Sequence, residues 1–404
     1  MNRRDNNTQR RRAFIAAFLG WMLDGYDFTV LTLVLIDIGR DLHVDHAALG
    51  ALGTITLVMR LAGGIVAGAA ADRWGRKGPM MVSIVWFSTF AFLSGFAPNY
   101  WILFLCRAMF GLGMGGEWAA GMPLVLEHWP EHRRGFILGM LQGAFSWGFV
   151  LAAAVYQFWL PLVPVAEAAP WRVLMWTGLI PALLALWIRR GVAESPLWLA
   201  GRAKTAAVRF AAVRGLFRPQ AMVAAGVLAA LMFSYQSMSF WYATLLRESN
   251  LTTLPYLAAL NVGGIIGAAG WGRLADTRLG ARRAIALATT SSCLALPLFL
   301  FATSPELLFI GAIAIGLTGA GVIGLAPAYV GGLFATEHRA TSWGTIYHAA
   351  AAVGAIAPYA IGRLQDVGWP LSVAMGSGIG AASLIALGLV LGSSYSARKS
   401  DGPN

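Results

Sequence analysis

Twelve apolar runs divide this chain, each close to the twenty residues a helix needs to cross about 30 Å of hydrocarbon. They lie at about 13–36, 47–71, 79–97, 100–126, 135–160, 171–188, 220–246, 254–275, 282–302, 306–332, 340–364 and 370–392. No other feature restricts the fold as strongly. Inside a bilayer every backbone N–H and C=O must be bonded within the chain, so runs of this length read as helices. Charged residues are 12% of the chain, against about 25% in a soluble domain. That excludes a soluble enzyme with a polar shell. Cys106 and Cys293 both sit in apolar runs without a second ligand at useful spacing, which excludes a disulfide scaffold and a cysteine metal site. The first run is long enough to span and reads as a retained signal anchor. The expected fold is an all-α membrane protein.

The net charge is +12, and its placement gives it meaning. Of the 30 basic residues, 24 fall on one side of the alternating runs and four on the other (Arg40, Arg172, Arg247 and Arg363). Arg60 and Arg107 lie inside runs. A bias of this size places the basic side, and with it both termini, in the cytoplasm. The chain is expected to be multi-pass in a cytoplasmic (plasma) membrane. The positive charge forms a belt at the membrane face, so no nucleic-acid partner is needed to explain it. The longest polar stretch, 189–219, carries seven basic residues against Glu194 and reads as a cytoplasmic linker lying along anionic headgroups.

The linker separates two similar halves. Asp72 and Asp276 occupy matching loops 204 residues apart, Gly111-Leu112 and Gly316-Leu317 match at 205, and Glu131-His132-Arg133 and Glu337-His338-Arg339 at 206. Three markers at one period indicate a duplicated unit. The expected organisation is a six-helix bundle over 1–188, the linker over 189–219, a second six-helix bundle over 220–392 and a tail over 393–404. Paired bundles of this kind suit a carrier that rocks about a site at the midplane.

The run Gly68-x3-Asp72-Arg73-x-Gly75-Arg76-Lys77 resembles the loop signature of the major facilitator superfamily. So do Glu127-x6-Arg134, Arg107-x3-Gly111 and Glu194-Ser195-Pro196-Leu197-Trp198-Leu199. The match as a set covers nearly the whole chain. It implies the major facilitator fold: twelve transmembrane helices in two pseudo-symmetric bundles. More narrowly, Leu23-Asp24-Gly25-Tyr26-Asp27-Phe28, Arg60 with Gly63-Gly64, Gly111-Leu112-Gly113-Met114-Gly115-Gly116-Glu117 and Trp129-Pro130-x-His132 are similar to the sialate:proton symporter group. That group comprises sialic acid permeases and lactate/pyruvate:proton symporters. This narrower likeness is clear over about 15–195. The seventh run departs from the group's lactate carriers, reading Phe233-Ser234-Tyr235-Gln236-Ser237-Met238-Ser239-Phe240-Trp241-Tyr242. The resemblance also implies that Asp72, Arg73, Arg76, Lys77, Glu127 and Arg134, with the repeat position Asp276, form a cytoplasmic gate.

Ionisable groups inside the runs need a reason, because each costs about 2.5 kcal/mol or more at mid-bilayer. Asp24 and Asp27 share one face of the first run. At about 1.5 Å per residue, Asp24 lies about 17 Å and Arg60 about 16 Å above the cytoplasmic end, so these groups can meet at one depth. Guanidinium matches a carboxylate with two parallel hydrogen bonds, which makes Arg60 the expected receptor for an anionic substrate. Asp24, Asp27 and Glu117 are the candidate proton acceptors, and Arg107 is a candidate helper in proton release. The competing account is that Arg60 and the two aspartates neutralise each other and hold two helices together.

Tyr235, Gln236, Ser237 and Tyr242 on the seventh run, and Gln142 and Gln157 on the fifth, are candidate donors to the polar part of a substrate; an aromatic packing face explains the seventh run equally well. Tyr156, Tyr347 and His348 are further cavity candidates. No Walker-type lysine loop, HExxH or nucleophile elbow is present, so no ATP, metal or other cofactor and no enzyme activity is expected. The expected partners are a small organic anion, a proton and the bilayer, served by a monomeric carrier. The expected function is proton-coupled symport of a small organic acid, a monocarboxylate or a sialic acid-like molecule. A proton-driven exporter of a drug or metabolite, or a receptor without transport, would share the same sequence features.

Overall fold

A computed structural model describes residues 3–129, 134–163, 169–199, 219–331 and 339–392, and among them there is no strand. The twelve expected positions carry helical elements. In the first half these are α1 (Arg3–Leu33), α2 (His46–Trp74), α3 (Lys77–Ser94), α4 (Tyr100–His128), α5 (Arg134–Ala154, continued by tighter and wider turns to Leu162) and α6 (Pro170–Trp176 and Pro181–Gly191). In the second half they are α7 (Pro219–Ser239), α8 (Thr253–Ala275), α9 (Gly280–Leu300), α10 (Pro305–Ile315, continued by irregular turns to Leu325), α11 (Arg339–Gly354 and Ala357–Asp366) and α12 (Leu371–Gly392). Short helices Leu35–Leu42, Pro196–Leu199 and Tyr242–Glu248 flank them. Residues 200–218, most of the expected linker, and the tail 393–404 lie outside the described residues.

Eight helices among the described residues are long and apolar enough to cross a membrane by composition alone. The other four positions have local causes. α3 is short and opens on Lys77; α4 carries Arg107 and Glu117. α6 is interrupted before Pro181, whose ring removes a backbone donor, and α11 is interrupted between Gly354 and Ala357. The apolar count ran through both breaks because a bent helix is as apolar as a straight one.

The pairing within each half repeats: α1 on α5, α2 on α4, α3 on α6 in the first; α7 on α11, α8 on α10, α9 on α12 in the second. Glycine sets the closest of these approaches. A methyl group at Gly63 would overlap the Leu112 carbonyl oxygen, and one at Gly111 that of Thr56. The same interlock recurs as Gly267 on Leu317 and Gly316 on Leu260, at the 204–205 period of the sequence repeat. Such close backbone contact is how membrane helices gain packing energy without a hydrophobic drive.

The halves meet along α2 with α11 and α5 with α8. At the end carrying residues 34–46 they are joined tightly. Arg247 donates from Nη1 to Asp37 Oδ2 at 2.7 Å and from Nη2 to Oδ1 at 2.9 Å. Asp366 on α11 accepts from the backbone N–H of His46 at 3.0 Å and of Ala47 at 2.9 Å, capping α2, and its Oδ1 lies 3.1 Å from His46 Nδ1. At the opposite end, among the described residues, Gly270, Gly272 and Gly280 have no neighbour within 4 Å of where a methyl group would sit.

Overpacking a tight contact costs about 1–3 kcal/mol, sometimes more. Gly63→Val should therefore lower the apparent melting temperature in detergent and the yield of monodisperse protein. Gly388→Ala, at a position with nothing within 4 Å, should leave both unchanged.

Candidate functional site

Five ionisable side chains are buried together at the centre of the first half. Asp24 and Arg107 are 0% exposed, Glu117 1%, Asp27 3% and Arg60 8%. Asp24 and Asp27 come from α1, Arg60 from α2, and Arg107 and Glu117 from α4. Their neighbourhood is made possible by small residues. Glu117 occupies the space left by Gly20, Asp27 the space beside Gly178, and Gly115 rests on the Arg60 backbone carbonyl. The Thr56 hydroxyl ties α2 to α4 by donating to the Arg107 carbonyl at 3.2 Å. Tyr26 and Thr177 hydroxyls, 2.6 Å apart, tie α1 to α6.

The charges are close but not joined. Asp24 lies in Coulombic range of Arg60 and Arg107, Asp27 of Arg107 and Asp24, and Glu117 of Asp24 and Arg60. Yet both Asp24 carboxylate oxygens, Asp27 Oδ2, Glu117 Oε2, Arg60 Nε and Nη2, and all three Arg107 nitrogens make no hydrogen bond to the protein. A structural ion pair would be hydrogen-bonded, because burying a charge unpaired is costly. Instead each guanidinium is held by its face. Arg60 lies 4.6 Å over the Trp21 ring, which stacks at 4.1 Å on Trp118, and Arg107 lies 4.1 Å over Phe110. Cation–π contact of this kind fixes the plane and leaves the edges free. In Arg60 the free pair is Nε and Nη2, whose N–H bonds point the same way. An edge of this kind has the geometry to match a carboxylate side-on.

Across from this cluster, Tyr235 of α7 is within Coulombic range of both Arg60 and Tyr347 of α11. Gln236 is engaged locally, its Oε1 accepting from the Ser239 hydroxyl at 3.4 Å. Two expected donors are turned elsewhere. Ser237 packs against Gly378 of α12, and the Tyr242 ring stacks 4.6 Å from Phe299 of α9. Gln157 lies at the joined end, lining a separate cleft. The side chains of Gln142 and His348 lie outside the described residues.

The loop residues form a network inside the first half. Arg76 donates to Asp72 at 2.6 Å and to Glu127 at 3.2 Å. Glu194 accepts from the backbone N–H groups of Arg76 at 2.9 Å and Lys77 at 3.1 Å. It approaches there because Gly75, at φ +96°, has no side chain in the way. Ser195 donates to Glu127, and Trp198 Nε1 donates to the Asp72 carbonyl at 3.0 Å. Lys77 thus enters through its backbone. Arg73 is exposed over the Trp74 ring at 5.5 Å. Asp276 is exposed at the end of α8, and the side chain of Arg134 lies outside the described residues. Trp21, the Asp37–Arg247 pair and the Asp366 cap were not singled out from sequence. A tryptophan in an apolar run looks lipid-facing, and charges near helix ends look solvated.

Residues 17–277 match the family model of the Major Facilitator Superfamily. The chain is 31% identical over 370 residues to the "Probable 4-methylmuconolactone transporter" of Cupriavidus pinatubonensis (strain JMP 134 / LMG 1197), covering 88% of this chain and 84% of that one. It is 31% identical over 359 residues to the sialic acid transporter NanX of Escherichia coli (strain K12), covering 87% and 86%. Among solved structures, a D-xylose-proton symporter superposes with a TM-score of 0.75 at 17% identity, covering 95% of this chain and 97% of that one, a likeness of fold. With its helical pairing repeated between halves and its sequence aligned with carriers over most of its length, the chain belongs to the Major Facilitator Superfamily and is a multi-pass membrane transporter, not an enzyme.

Proposed function

We propose that this carrier takes up a small organic acid together with a proton by alternating access. The observation that carries the reading is the unpaired side-on edge of Arg60, buried beside three carboxyl groups that are also unpaired. Three carboxylates and two guanidinium groups sum to one negative charge. One proton neutralises the empty cluster. A bound monocarboxylate restores the deficit, and a second proton removes it again. An occluded site in low dielectric is far cheaper to form when neutral, so anion and proton enter as a pair. Arg60 receives the carboxylate, Tyr235 and Gln236 face the polar remainder of the substrate, and Asp24, Asp27 and Glu117 share the proton, with Arg107 beside Asp27 assisting its release. The likeness to a transporter named for sialic acid, itself a carboxylic acid, supports this substrate class.

The basic-residue bias supports a plasma-membrane carrier with both termini in the cytoplasm. On that orientation the joined end faces outward, and the contacts of Arg247 with Asp37 close the carrier on that side. The network of Asp72, Arg76, Glu127, Glu194 and Ser195 binds the cytoplasmic ends of α2 and α4 into one unit. Arg73, Lys77, Arg134 and Asp276 stand around it. In the opposite state this unit docks on the second half; the described contacts of Arg76 and Ser195 lie within its own half.

Uptake of labelled acids, sialic acid among them, into proteoliposomes under an imposed pH gradient tests the reading. Accumulation on the alkaline side is expected; expulsion would overturn it in favour of an exporter. Arg60→Ala should abolish acid binding. Arg60→Lys, which keeps the charge and loses the fork, should weaken it roughly ten- to a hundredfold. Unchanged affinity in Arg60→Ala would remove Arg60 from the site.

Asp27→Asn should eliminate gradient-driven accumulation while exchange of acid across the membrane persists. Normal accumulation by that variant would take the proton from Asp27. Asp72→Asn, which weakens the hold on Arg76, should slow turnover about tenfold, within the span of a charge-assisted hydrogen bond, with affinity unchanged. A large affinity loss would contradict a gating role.

A further inference from the structure

A second concave site lies at the joined end, apart from the Arg60 cluster. It is a cleft of about 540 Å³ between the distal turns of α5, the start of α6 and the segment leading into α8. That volume is within the range of small-molecule sites, about 300–1,000 Å³. Three features of its wall favour an anion. Arg247 lies there, 5.5 Å over the Tyr156 ring. The N-terminus of the 23-residue α8 opens on it, and the N-cap residue Thr252 makes no side-chain capping bond. A helix N-terminus with free N–H groups attracts negative charge. Thr253 also lines the cleft, is 3% exposed, and its Oγ1 has no hydrogen-bond partner. Gln157 Oε1 is likewise buried without a partner.

Arg247 is at the same time the residue that joins the halves. Its guanidinium holds the Asp37 carboxylate with two bonds and the Leu33 carbonyl at 2.7 Å. We propose that this cleft is an outer recognition site for a small organic carboxylate, and that the arriving acid takes Arg247 from Asp37, so that binding from outside loosens the contact that keeps the outer end shut. The identification of this acid with the transported substrate rests on the function proposed above; the preference of the cleft for an anion does not.

The test uses the full chain in right-side-out vesicles with Cys106→Ala and Cys293→Ala, carrying Thr253→Cys in the cleft. Ser249→Cys, exposed on the same side, is the reference. Labelling rates are measured with two impermeant methanethiosulfonates, one sulfonate and one trimethylammonium, each divided by its rate with 2-mercaptoethanol. The anionic reagent should be favoured at Thr253→Cys by about fivefold over its value at Ser249→Cys, as expected for local focusing by fixed charges. The preference should vanish with Arg247→Gln and survive with Arg247→Lys. Benzoate should slow labelling at Thr253→Cys and not at Ser249→Cys. Equal normalised rates at the two positions, or no protection by benzoate, would overturn the proposal. If Arg247→Gln does not fold, retention of the preference in Arg247→Lys and its collapse in high salt decide the matter; a preference that resists salt overturns it. In an Arg60→Ala background the labelling pattern should be unchanged while uptake is lost. Uptake that survives in that background counts against the central site alone.

Discussion

The constraint behind the whole arrangement is the cost of keeping ionised groups out of water without pairing them. Each buried ion loses several kcal/mol of hydration even after the protein relaxes. The first half places five ionisable groups in one buried cluster and leaves most of their polar atoms without protein partners. At the Asp72 end the same chain shows the alternative: each Arg76 guanidinium nitrogen is hydrogen-bonded to Asp72 or Glu127. The contrast separates a structural ion pair from a receptive one. In the cluster the proteinaceous contact is with the flat faces of the guanidinium groups, supplied by Trp21 and Phe110. A face-held guanidinium has its plane fixed and its donors unspent.

The scaffold that allows this is a duplicated helix interlock, and the duplication is uneven where it matters. Gly63 on Leu112 and Gly111 on Thr56 recur as Gly267 on Leu317 and Gly316 on Leu260. One turn further along, the first half has Gly115 resting on Arg60, and the second half has Ala320 against Gly264. The repeat therefore keeps the backbone geometry and changes the chemistry. Charge is concentrated in one copy. In the other copy the Tyr235 phenol lies within Coulombic range of Arg60 and of Tyr347. An ionic half opposite a neutral half is an asymmetric arrangement, which two identical halves would not give.

How far the sequence revealed this depended on the physical signal each residue leaves. Apolar length and the 204–206 period are summed over many residues, so the helices and the repeat were legible. Arg60, Asp24, Asp27, Arg107 and Glu117 were legible because a charge in an apolar run is conspicuous, and the depth arithmetic brought α1 and α2 together. Facing was not legible in α7. The seventh run is apolar nearly all round, so no periodicity told Ser237 and Tyr242, which pack against Gly378 and Phe299, from Tyr235, which lies within Coulombic range of Arg60. Contacts between halves were also hidden. Asp37 and Arg247 are 210 residues apart, and each is an ordinary polar residue near the end of an apolar run. Glu194 and Ser195 were visible as a motif, but only the fold shows them closing the Asp72 network.

The two ends of the molecule differ in a way that bears on how the carrier changes state. At the joined end two ionic contacts, Arg247 with Asp37 and Asp366 with His46, cross between halves while Arg172 with Asp41 stays within the first, and the crossing Arg247 pair is partly wet: the Arg247 and Asp37 side chains are 19% and 30% exposed. Pairs of that exposure contribute about 0–1 kcal/mol each. They align the halves without committing them, and the glycine contacts of Gly50 on Pro358 and Gly362 on His46 supply the close fit. Among the described residues, the Arg76 pairs at the other end lie within one half. A two-state equilibrium held by contacts of this size is tilted by a ligand whose preference for one state is a few kcal/mol. Neutralising a buried carboxylate and filling the free edge of a buried guanidinium are both worth that much. On the proposed cycle, the weak, wet contacts of the joined end and the dry, unpaired centre are therefore complementary requirements: the first keeps the barrier to rearrangement low, and the second would make the occupied and empty carriers differ in which state they prefer.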